Sequence, residues 1–305
     1  MAGSQSSRAL SGTRPEVACS IIVPCYDEEA SIENTIVQLE TALAGQLEYE
    51  LIVVNDGSRD SSGRVLAELQ LRFPRLRVID HVVNQGYGAA LKTGIRAAHA
   101  PLIAITDADG TYPNERLPEL IRECAEIDMV VGARVGPGVN YSKVRAFPKF
   151  FLKRWISFIA GREVPDINSG MRVFRKEIAE RFFNILPNSF SFTITITLAM
   201  LTTFRLVRFI PISYAKREGK SKIRPFADTW RFIRIILRTG VYFAPIRAFL
   251  PLFLVLGAAA TASLGYDVFV LNDLTEKSLL LILFTINAGM FILVADMIDK
   301  RVGGV

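Results

Sequence analysis

Two long uncharged stretches near the C-terminus constrain this chain more than any other feature. Ala248–Tyr266 has no charged residue over 19 positions, and Ser278–Ala295 has none over 18. A helix needs about 20 apolar residues to cross the hydrocarbon core of a bilayer. A pair of buried core helices is the alternative, but these stretches lie close together and carry charges only at their ends. We therefore predict two transmembrane helices, at about residues 248–266 and 278–298, forming a hairpin within residues 248–305.

The charges that flank this hairpin predict its orientation. The connection at residues 267–277 is short and net acidic, whereas basic residues precede the first span and follow the second. These basic residues are Arg231, Arg234, Arg238, Arg247, Lys300 and Arg301. Lys and Arg are enriched in cytoplasmic segments, so we expect an integral protein of the cytoplasmic (inner) membrane with its N-terminal domain in the cytoplasm. The spans could also support a homo-oligomer.

The rest of the charge is unevenly distributed. Residues 1–140 carry 19 acidic and 12 basic side chains, whereas residues 141–247 carry 6 acidic and 21 basic ones. The two regions are therefore expected to meet different partners.

Three cysteines without a CxxC pair, and only two histidines, argue against a zinc site and exclude a secreted disulfide scaffold.

Strand-like apolar runs alternate with helix-length segments through the first half of the chain. The runs are residues 20–24, 51–55, 76–80, 102–106 and 129–132, and the helical segments are residues 31–44, 61–72, 87–99 and 116–125. This alternation is typical of βαβ units. It predicts an α/β domain with a mainly parallel sheet at residues 17–224, after a disordered N-terminus at residues 1–16.

Acidic residues follow three of these runs, where the carboxyl ends of parallel strands bind ligands. Glu28 follows the first run, Asp56 the second, and Asp107 and Asp109 the fourth. Carboxylates one residue apart suit Mg²⁺ or Mn²⁺, which also bind phosphate oxygens. A D-x-D pair alone is common in solvated loops, and Asp56 before Gly-Ser could be only a turn former. Their position at successive strand ends favours a metal and phosphate site.

The segment Asn84-Gln85-Gly86-Tyr87-Gly88-Ala89-Ala90 differs from a dinucleotide-binding fingerprint. Leu91 stands where the third glycine would be, and no acidic residue follows at the expected distance. We interpret the segment as a tight turn into a helix that packs closely on the sheet.

Together, P-x-Y-D-E-E, N-D-G-S, N-x-G-x-G-A-A and D-A-D resemble the family 2 glycosyltransferases of GT-A fold, and among them the polyprenyl-phosphate glycosyltransferases. The resemblance implies a Rossmann-like GT-A domain and a nucleotide-sugar donor. It implies that Pro24, Tyr26, Glu28 and Asp56 bind the nucleoside, and that Asp107 and Asp109 hold the metal and the donor diphosphate. Mannose synthases of this group usually read D-A-D-L-Q, whereas this chain has Gly110 and Thr111 after Asp109, which favours UDP-glucose over a mannosyl donor.

Two further segments resemble the acceptor side of the same family. Residues 166–172 resemble D-x-x-S-G-[FM]-R, and residues 217–222 resemble R-x-G-x-S-K. The resemblance implies that a lipid phosphate is held by Arg217, Ser221 and Lys222, with Arg134 and Arg145 as further candidates. A guanidinium, a hydroxyl and an ammonium form a suitable phosphate-binding set. Asp166 is the candidate catalytic base or orienting carboxylate.

Basic and aromatic side chains alternate in two amphipathic stretches, residues 143–159 and 230–242. Such stretches suit helices that lie in the headgroup plane, and we place a juxtamembrane amphipathic helix at residues 225–247. A basic, aromatic surface could also bind nucleic acid, but the adjoining spans favour membrane lipid and no nucleic acid.

These features predict a metal-dependent enzyme that transfers a hexose from a nucleotide sugar to a polyprenyl phosphate with inversion. Mannosyl transfer from GDP-mannose to the same lipid class is an alternative. A processive polysaccharide synthase is another, although Phe151 and Leu152 stand where its Q-x-x-R-W motif would need Gln. A non-catalytic membrane scaffold is a third, against which the intact D-A-D argues.

Overall fold

The computed structural model describes residues 18–135, 154–215, 240–242 and 244–302. Seven strands form one sheet in the order β3-β2-β1-β4-β6-β5-β7. They are β1 (Cys19–Cys25), β2 (Tyr49–Asn55), β3 (Leu76–Asp80), β4 (Leu102–Ile105), β5 (Met129–Ala133), β6 (Arg172–Arg175) and β7 (Val207–Pro211). Only β6 runs antiparallel to its neighbours, so the mainly parallel α/β sheet is confirmed. The predicted disordered N-terminus lies outside the described residues.

The strand register places the predicted site residues at one edge of the sheet. Cys25 of β1 pairs with Asn55 of β2, and Asn55 pairs with Asp80 of β3. On the other side, Ile22 of β1 pairs with Ile105 at the end of β4. The turns that follow β1, β2 and β4 therefore lie side by side.

Helices cover both faces of the sheet. They are α1 (Ile32–Leu43), α2 (Ser62–Arg72), α3 (Tyr87–Ala97), α4 (Leu117–Glu123), α5 (Lys176–Arg181) and α6 (Phe192–Thr202), together with a helical segment at residues 154–160. Alternate strand residues enter two separate cores, with Ile22 in one and Ile21 in the other. A Cβ at Gly94 of α3 would lie 2.5 Å from Cγ2 of Ile22. The predicted close packing of this helix on the sheet is confirmed.

Two further helices, α7 (Pro245–Tyr266) and α8 (Glu276–Val302), pack against each other as a hairpin. Their apolar segments, Pro245–Leu271 and Glu276–Met297, have 27 and 22 residues. The most apolar 18-residue stretches in them have mean hydropathies of 1.9 and 2.4, and only 11% of each stretch is buried. Both are long enough to cross a bilayer. Helix α7 begins three residues before the predicted span and includes the charged Arg247 in its first turn. There, Arg247 Nη1 donates to the carbonyl of Ile159 at 2.9 Å.

Glu50 joins the first two strands at the amino end of the sheet. Its carboxylate accepts hydrogen bonds from Ser20 Oγ (2.6 Å), the His99 amide (2.6 Å) and Arg77 Nη1 (2.9 Å). Burial alone would raise the pKa of Glu50, but these donors outweigh burial and lower it to about 2. The ionised Glu50 side chain therefore contributes its full stabilisation of the folded state above pH 4.5, its ordinary pKa. This contribution is lost as the pH falls towards 2.

We expect Glu50→Gln to lower the free energy of unfolding by about 2–3 kcal/mol at pH 7. Thermal unfolding of the full chain in detergent between pH 7 and pH 2 measures this difference. The difference in unfolding free energy between variant and wild type should become smaller below pH 4.5. A difference that is the same at every pH would mean that the charge of Glu50 does not stabilise the fold.

Candidate active site

The turns after β1 and β2 are fastened to each other by hydrogen bonds. The Asp27 amide donates to Ser58 Oγ at 3.1 Å, and the Glu28 amide donates to Ser62 Oγ at 3.0 Å. The Arg59 amide in turn donates to Asp27 Oδ1 at 2.8 Å. Beside these turns, Pro24 is buried within β1, while Tyr26 and Glu28 are half-buried. These three residues, all predicted to bind the nucleoside, thus lie beside one another along two turns that are joined by hydrogen bonds.

Asp56, the fourth of them, is 2% exposed and holds a second turn in place. Its Oδ1 accepts from His81 Nδ1 (2.6 Å) and the Gln85 amide (2.9 Å), and its Oδ2 accepts from the Gly86 amide (2.8 Å). A carboxylate has about four acceptor positions, so about one is left for a ligand. Asp56 therefore acts first as the anchor of the 84–86 turn, a contact that its sequence position does not reveal.

Glycine is required where these turns meet. Gly57 has φ +70°, and a Cβ there would lie 2.7 Å from the Asn84 amide nitrogen. Gly86 has φ +101°, and a Cβ at Gly86 or Gly88 would collide with backbone carbonyl oxygens of Pro187 and Asn188. The Asn188 carbonyl accepts from the Gly88 amide at 3.0 Å. The segment before α6 is thereby fixed against the start of α3.

We expect Gly57→Ala to destabilise the fold by roughly 2–4 kcal/mol and to weaken nucleotide binding, because it combines a left-handed backbone with a clash against backbone atoms. Gly45→Ala is the matched control, since Gly45 has φ +72° but nothing within 4 Å of its Cβ position. The control should cost only about 1–2 kcal/mol, the cost of the left-handed conformation alone. Denaturant titration and nucleotide titration measure both effects, and equal losses in the two variants would refute the clash.

Asp107, at the end of β4, lies between an aromatic ring and a glycine. Tyr87 Oη donates to Asp107 Oδ1 at 2.8 Å, and a Cβ at Gly170 would lie 2.7 Å from both carboxylate oxygens. Burial, and then the charge of Asp107, raises the pKa of Tyr87 well above its ordinary range. The phenol therefore stays protonated and donates to the carboxylate. Tyr87 also stacks on Phe190, with ring centroids 5.1 Å apart.

Asp109 is held by its own turn. Thr111 donates to Asp109 Oδ1 from its hydroxyl at 2.6 Å and from its amide at 3.2 Å. Within the described residues, no group of three or more His, Cys, Asp and Glu side chains could hold a metal by itself. Two hard carboxylates with a close glycine nevertheless fit a Mg²⁺ or Mn²⁺ ion that takes its other oxygen ligands from a substrate diphosphate and water. The described residues thus fit a metal shared with the donor.

Arg134 and Asp166 form a partly buried ion pair beside β5. Arg134 donates to Asp166 Oδ2 from Nε (2.7 Å) and from its amide (3.1 Å), and to Oδ1 from Nη2 (3.1 Å). The Arg134 guanidinium also lies over the ring of Tyr214, 5.1 Å from its centroid. Burial favours the protonated form of Asp166, but the bonds from Arg134 outweigh burial and lower its pKa. Asp166 is therefore ionised and oriented.

Arg172, at the end of the S-G-M-R segment, is completely buried. Its guanidinium donates to the carbonyls of Ser169 and Thr193 and to Thr197 Oγ1. Burial lowers the pKa of Arg172 to about 10, which leaves it charged at neutral pH. It supplies a fixed positive charge beneath the two acidic groups, Asp107 and Asp166.

The structure thus brings together most of the predicted site residues that it describes. Arg145, Arg217, Ser221 and Lys222 lie outside the described residues, as do most of the two amphipathic stretches. The sequence interpretation gave no role to Tyr87, which donates to Asp107, or to Tyr214, whose ring lies under the Arg134 guanidinium. It also gave none to Tyr112 and Arg172, which bind the adjoining residues 170 and 169. Tyr112 Oη accepts from the Gly170 amide at 2.6 Å, and its ring packs edge-on against Tyr214. Aromatic residues beside D-A-D and beside the basic segment were the available signal.

The solved structures that resemble this chain share its fold. Glucosyl-3-phosphoglycerate synthase from Mycobacterium tuberculosis, solved with Mn²⁺, UDP-glucose and phosphoglyceric acid, superposes with a TM-score of 0.57 over 73% of this chain and 80% of that chain, at 18% identity. This likeness shows an α/β domain of GT-A-like fold. The sequence profile of the family described as "Glycosyl transferase family 2" matches residues 20–183, more than half of the chain. The protein belongs to this family.

Sequence relatives point in the same direction. The chain is 28% identical over 210 residues to the dolichyl-phosphate hexose transferase of Haloferax volcanii, covering 68% of this chain and 87% of that protein. It is 29% identical over 225 residues to the polyprenol monophosphomannose synthase of Mycolicibacterium smegmatis, covering 69% and 82%. Other relatives are longer, and this chain spans only 52% to 60% of their length.

Proposed function

We propose that this protein transfers glucose from UDP-glucose to a polyprenyl phosphate at the cytoplasmic face of the membrane. The observation that carries this proposal is one chain that joins a D-A-D carboxylate site to an apolar two-helix hairpin. A soluble acceptor would need no hairpin, whereas a lipid acceptor is reached only at the bilayer. The relatives named for dolichyl-phosphate and polyprenol products support a lipid phosphate acceptor.

The acceptor is already an anion, so the reaction needs positioning and charge compensation more than deprotonation. A phosphate oxygen of the lipid attacks the anomeric carbon, and the bond to the donor diphosphate breaks as the nucleoside diphosphate leaves. Single displacement inverts the configuration, giving a β-linked product from an α-linked donor. A product of retained configuration would exclude this mechanism.

Each part of the site has a role in this reaction. Pro24, Tyr26, Glu28 and Asp56 hold the nucleoside, and Asp107 and Asp109 face the diphosphate. A divalent ion bound there would neutralise charge on the leaving group. Arg134 has five N–H donors and uses Nε and Nη2 for Asp166, so other N–H groups can bind the acceptor phosphate together with Arg145, Arg217, Ser221 and Lys222.

Asp166 is assigned as an orienting carboxylate. Its pKa is lowered by Arg134, and a carboxylate with a lowered pKa is a weak base. Its bidentate contact instead fixes the guanidinium plane. Mannosyl transfer remains the second candidate, because relatives are named for mannosyl and for glucosyl transfer.

The test is transfer of radiolabelled sugar from a panel of nucleotide sugars to undecaprenyl phosphate, using the full chain in membranes, with and without EDTA. We expect label that is extractable with lipid solvents, given by UDP-glucose and abolished by EDTA. Label from GDP-mannose instead would move the assignment to mannose. An insoluble labelled polymer would indicate a processive synthase, and no label from any donor would overturn the transferase proposal.

A further inference from the structure

A phenylalanine occupies an unfavourable position at the end of α6. The helix ends at Thr202, and Phe204 follows with φ +58°. The Arg205 amide then donates to the Met200 carbonyl at 2.9 Å, which is the bond that closes a Schellman turn. The left-handed position of such a turn normally holds glycine, and a bulky side chain there is an outlier.

The same side chain is also exposed to solvent. Phe204 is 88% exposed, and Leu206 two residues later is 62% exposed. In water, this segment therefore combines backbone strain with two exposed apolar side chains. Backbone strain of this kind often marks a functional segment. The segment at residues 203–206 is here named the Phe204 tip.

Basic and acidic side chains both lie around the Phe204 tip. The Leu206 amide donates to Asp128 Oδ2 at 2.9 Å, and Arg208 is paired with Glu123. Arg205 lies within it, and next to it is a cleft of about 460 Å³ lined by Leu206, Arg162, Glu163, Arg208 and Phe209. Apolar side chains that project between guanidinium groups are typical of protein surfaces in the headgroup region of a bilayer. Anionic headgroups attract each nearby Arg, which favours a lipid surface over an uncharged partner.

Contacts connect the tip to the start of the apolar hairpin. Arg162 Nη2 donates to the Val207 carbonyl at 3.0 Å, directly after the tip. The residue before Arg162 is Gly161, whose missing side chain leaves room for the Arg247 guanidinium. Arg247 belongs to the first turn of α7. The Phe204 tip is thus held within a few residues' reach of the point where the chain would enter the membrane.

We propose that the Phe204 tip inserts into the headgroup region of the membrane that α7 spans, with Arg205 facing anionic phospholipid. The inference rests on the membrane location in the proposed function and not on the transfer reaction. It gives the catalytic domain a second attachment beside the hairpin, on the edge of the sheet formed by β7. A domain held at two places cannot pivot freely about the start of α7.

Fluorescence of a tryptophan at the tip tests the insertion. Phe204→Trp is made in the full chain with Trp155→Phe and Trp230→Phe, and reconstituted in vesicles of phosphatidylcholine with phosphatidylglycerol that contain doxyl-labelled lipid. We expect blue-shifted emission that the doxyl lipid quenches. Leu71→Trp in the same background is the control, since Leu71 is 89% exposed on α2, and it should be neither shifted nor quenched. Emission at position 204 that matches the control would overturn the proposal, as would a blue shift without quenching, which would indicate a protein partner.

A glycine at the same position tests the strain. In detergent solution, Phe204→Gly should raise the Tm by about 2–4 °C, because it relieves the left-handed conformation of a bulky residue. A lower Tm would show that the protein itself stabilises Phe204, and it would overturn the proposal. Neither measurement uses sugar transfer, so a failed transferase assay and a failed insertion are distinguishable.

Discussion

Asp107→Asn should lower kcat/KM for sugar transfer by at least about 10²-fold while leaving the fold intact. Asn keeps the size of the side chain and can still accept the hydrogen bond from Tyr87, which lies 2.8 Å from Oδ1 in the wild type. It removes the negative charge that a divalent ion needs at this strand end. Losing one electrostatic contact to a leaving group typically costs 10²- to 10³-fold in rate.

The control for this variant is Glu115→Gln, which removes a negative charge from an exposed position eight residues further along the chain. It should change kcat/KM less than about twofold, because an exposed charge is screened by water and salt. Raising the Mn²⁺ concentration should partly restore Asp107→Asn and leave Glu115→Gln unchanged. Wild-type activity in Asp107→Asn would remove this carboxylate from the reaction.

The first half of the fold was predictable from the sequence because each strand is a short apolar run and each helix has one apolar face. The predicted runs at residues 20–24 and 51–55 lie within β1 and β2. These strands are buried on both faces, and they therefore show continuous apolar sequence. Local composition was sufficient here, since neighbouring elements in sequence are also neighbours in space.

The second half was not predictable in this way. In α6, the sequence FTITITLAMLT alternates β-branched and apolar residues, a pattern typical of a strand, yet it forms a helix whose residues 192–201 are all buried. A helix buried on every side has no polar face to give a helical period. Its threonines are satisfied by the fold, since Thr197 Oγ1 donates to the Thr193 carbonyl at 2.7 Å and accepts from Arg172. In β6 the arginines obscure the strand pattern, because two of the hydrogen-bond partners that allow Arg172 to be buried, Thr193 and Thr197, are distant in sequence.

The site shows the same division. Asp56, Asp107 and Asp109 could be found because they follow predicted strands directly. The contacts of these carboxylates could not be predicted, because Tyr87, Gly170 and His81 approach them from other parts of the fold. Only the structure shows that the Asp56 carboxylate accepts hydrogen bonds from the 84–86 turn. It also shows that the Asp166 carboxylate is bound by Arg134.

Asp166 and Arg134 should behave as one unit in a double-mutant cycle. We expect Asp166→Asn and Arg134→Gln each to lower kcat by about 10²-fold, because a misplaced guanidinium or phosphate can cost that much. The double variant should be no slower than the worse single one, since groups that act together are not additive. The KM for the nucleotide sugar should change less than about threefold in all three, because the proposed function assigns the pair to the acceptor phosphate.

The pH dependence of Asp166→Asn separates an orienting carboxylate from a base. The pKa of Asp166 is lowered, so the pair is intact above the ordinary value of 3.8 and is lost only as the pH falls through the lowered one. Between pH 5 and pH 8, wild type and Asp166→Asn should therefore show the same profile of kcat against pH, displaced by a constant factor. Loss of an acidic limb in Asp166→Asn would instead make Asp166 the base, because only a group that titrates in the reaction removes a limb when it is replaced. Additive losses in the double variant, with a raised donor KM, would separate the two residues and place Arg134 on the donor side.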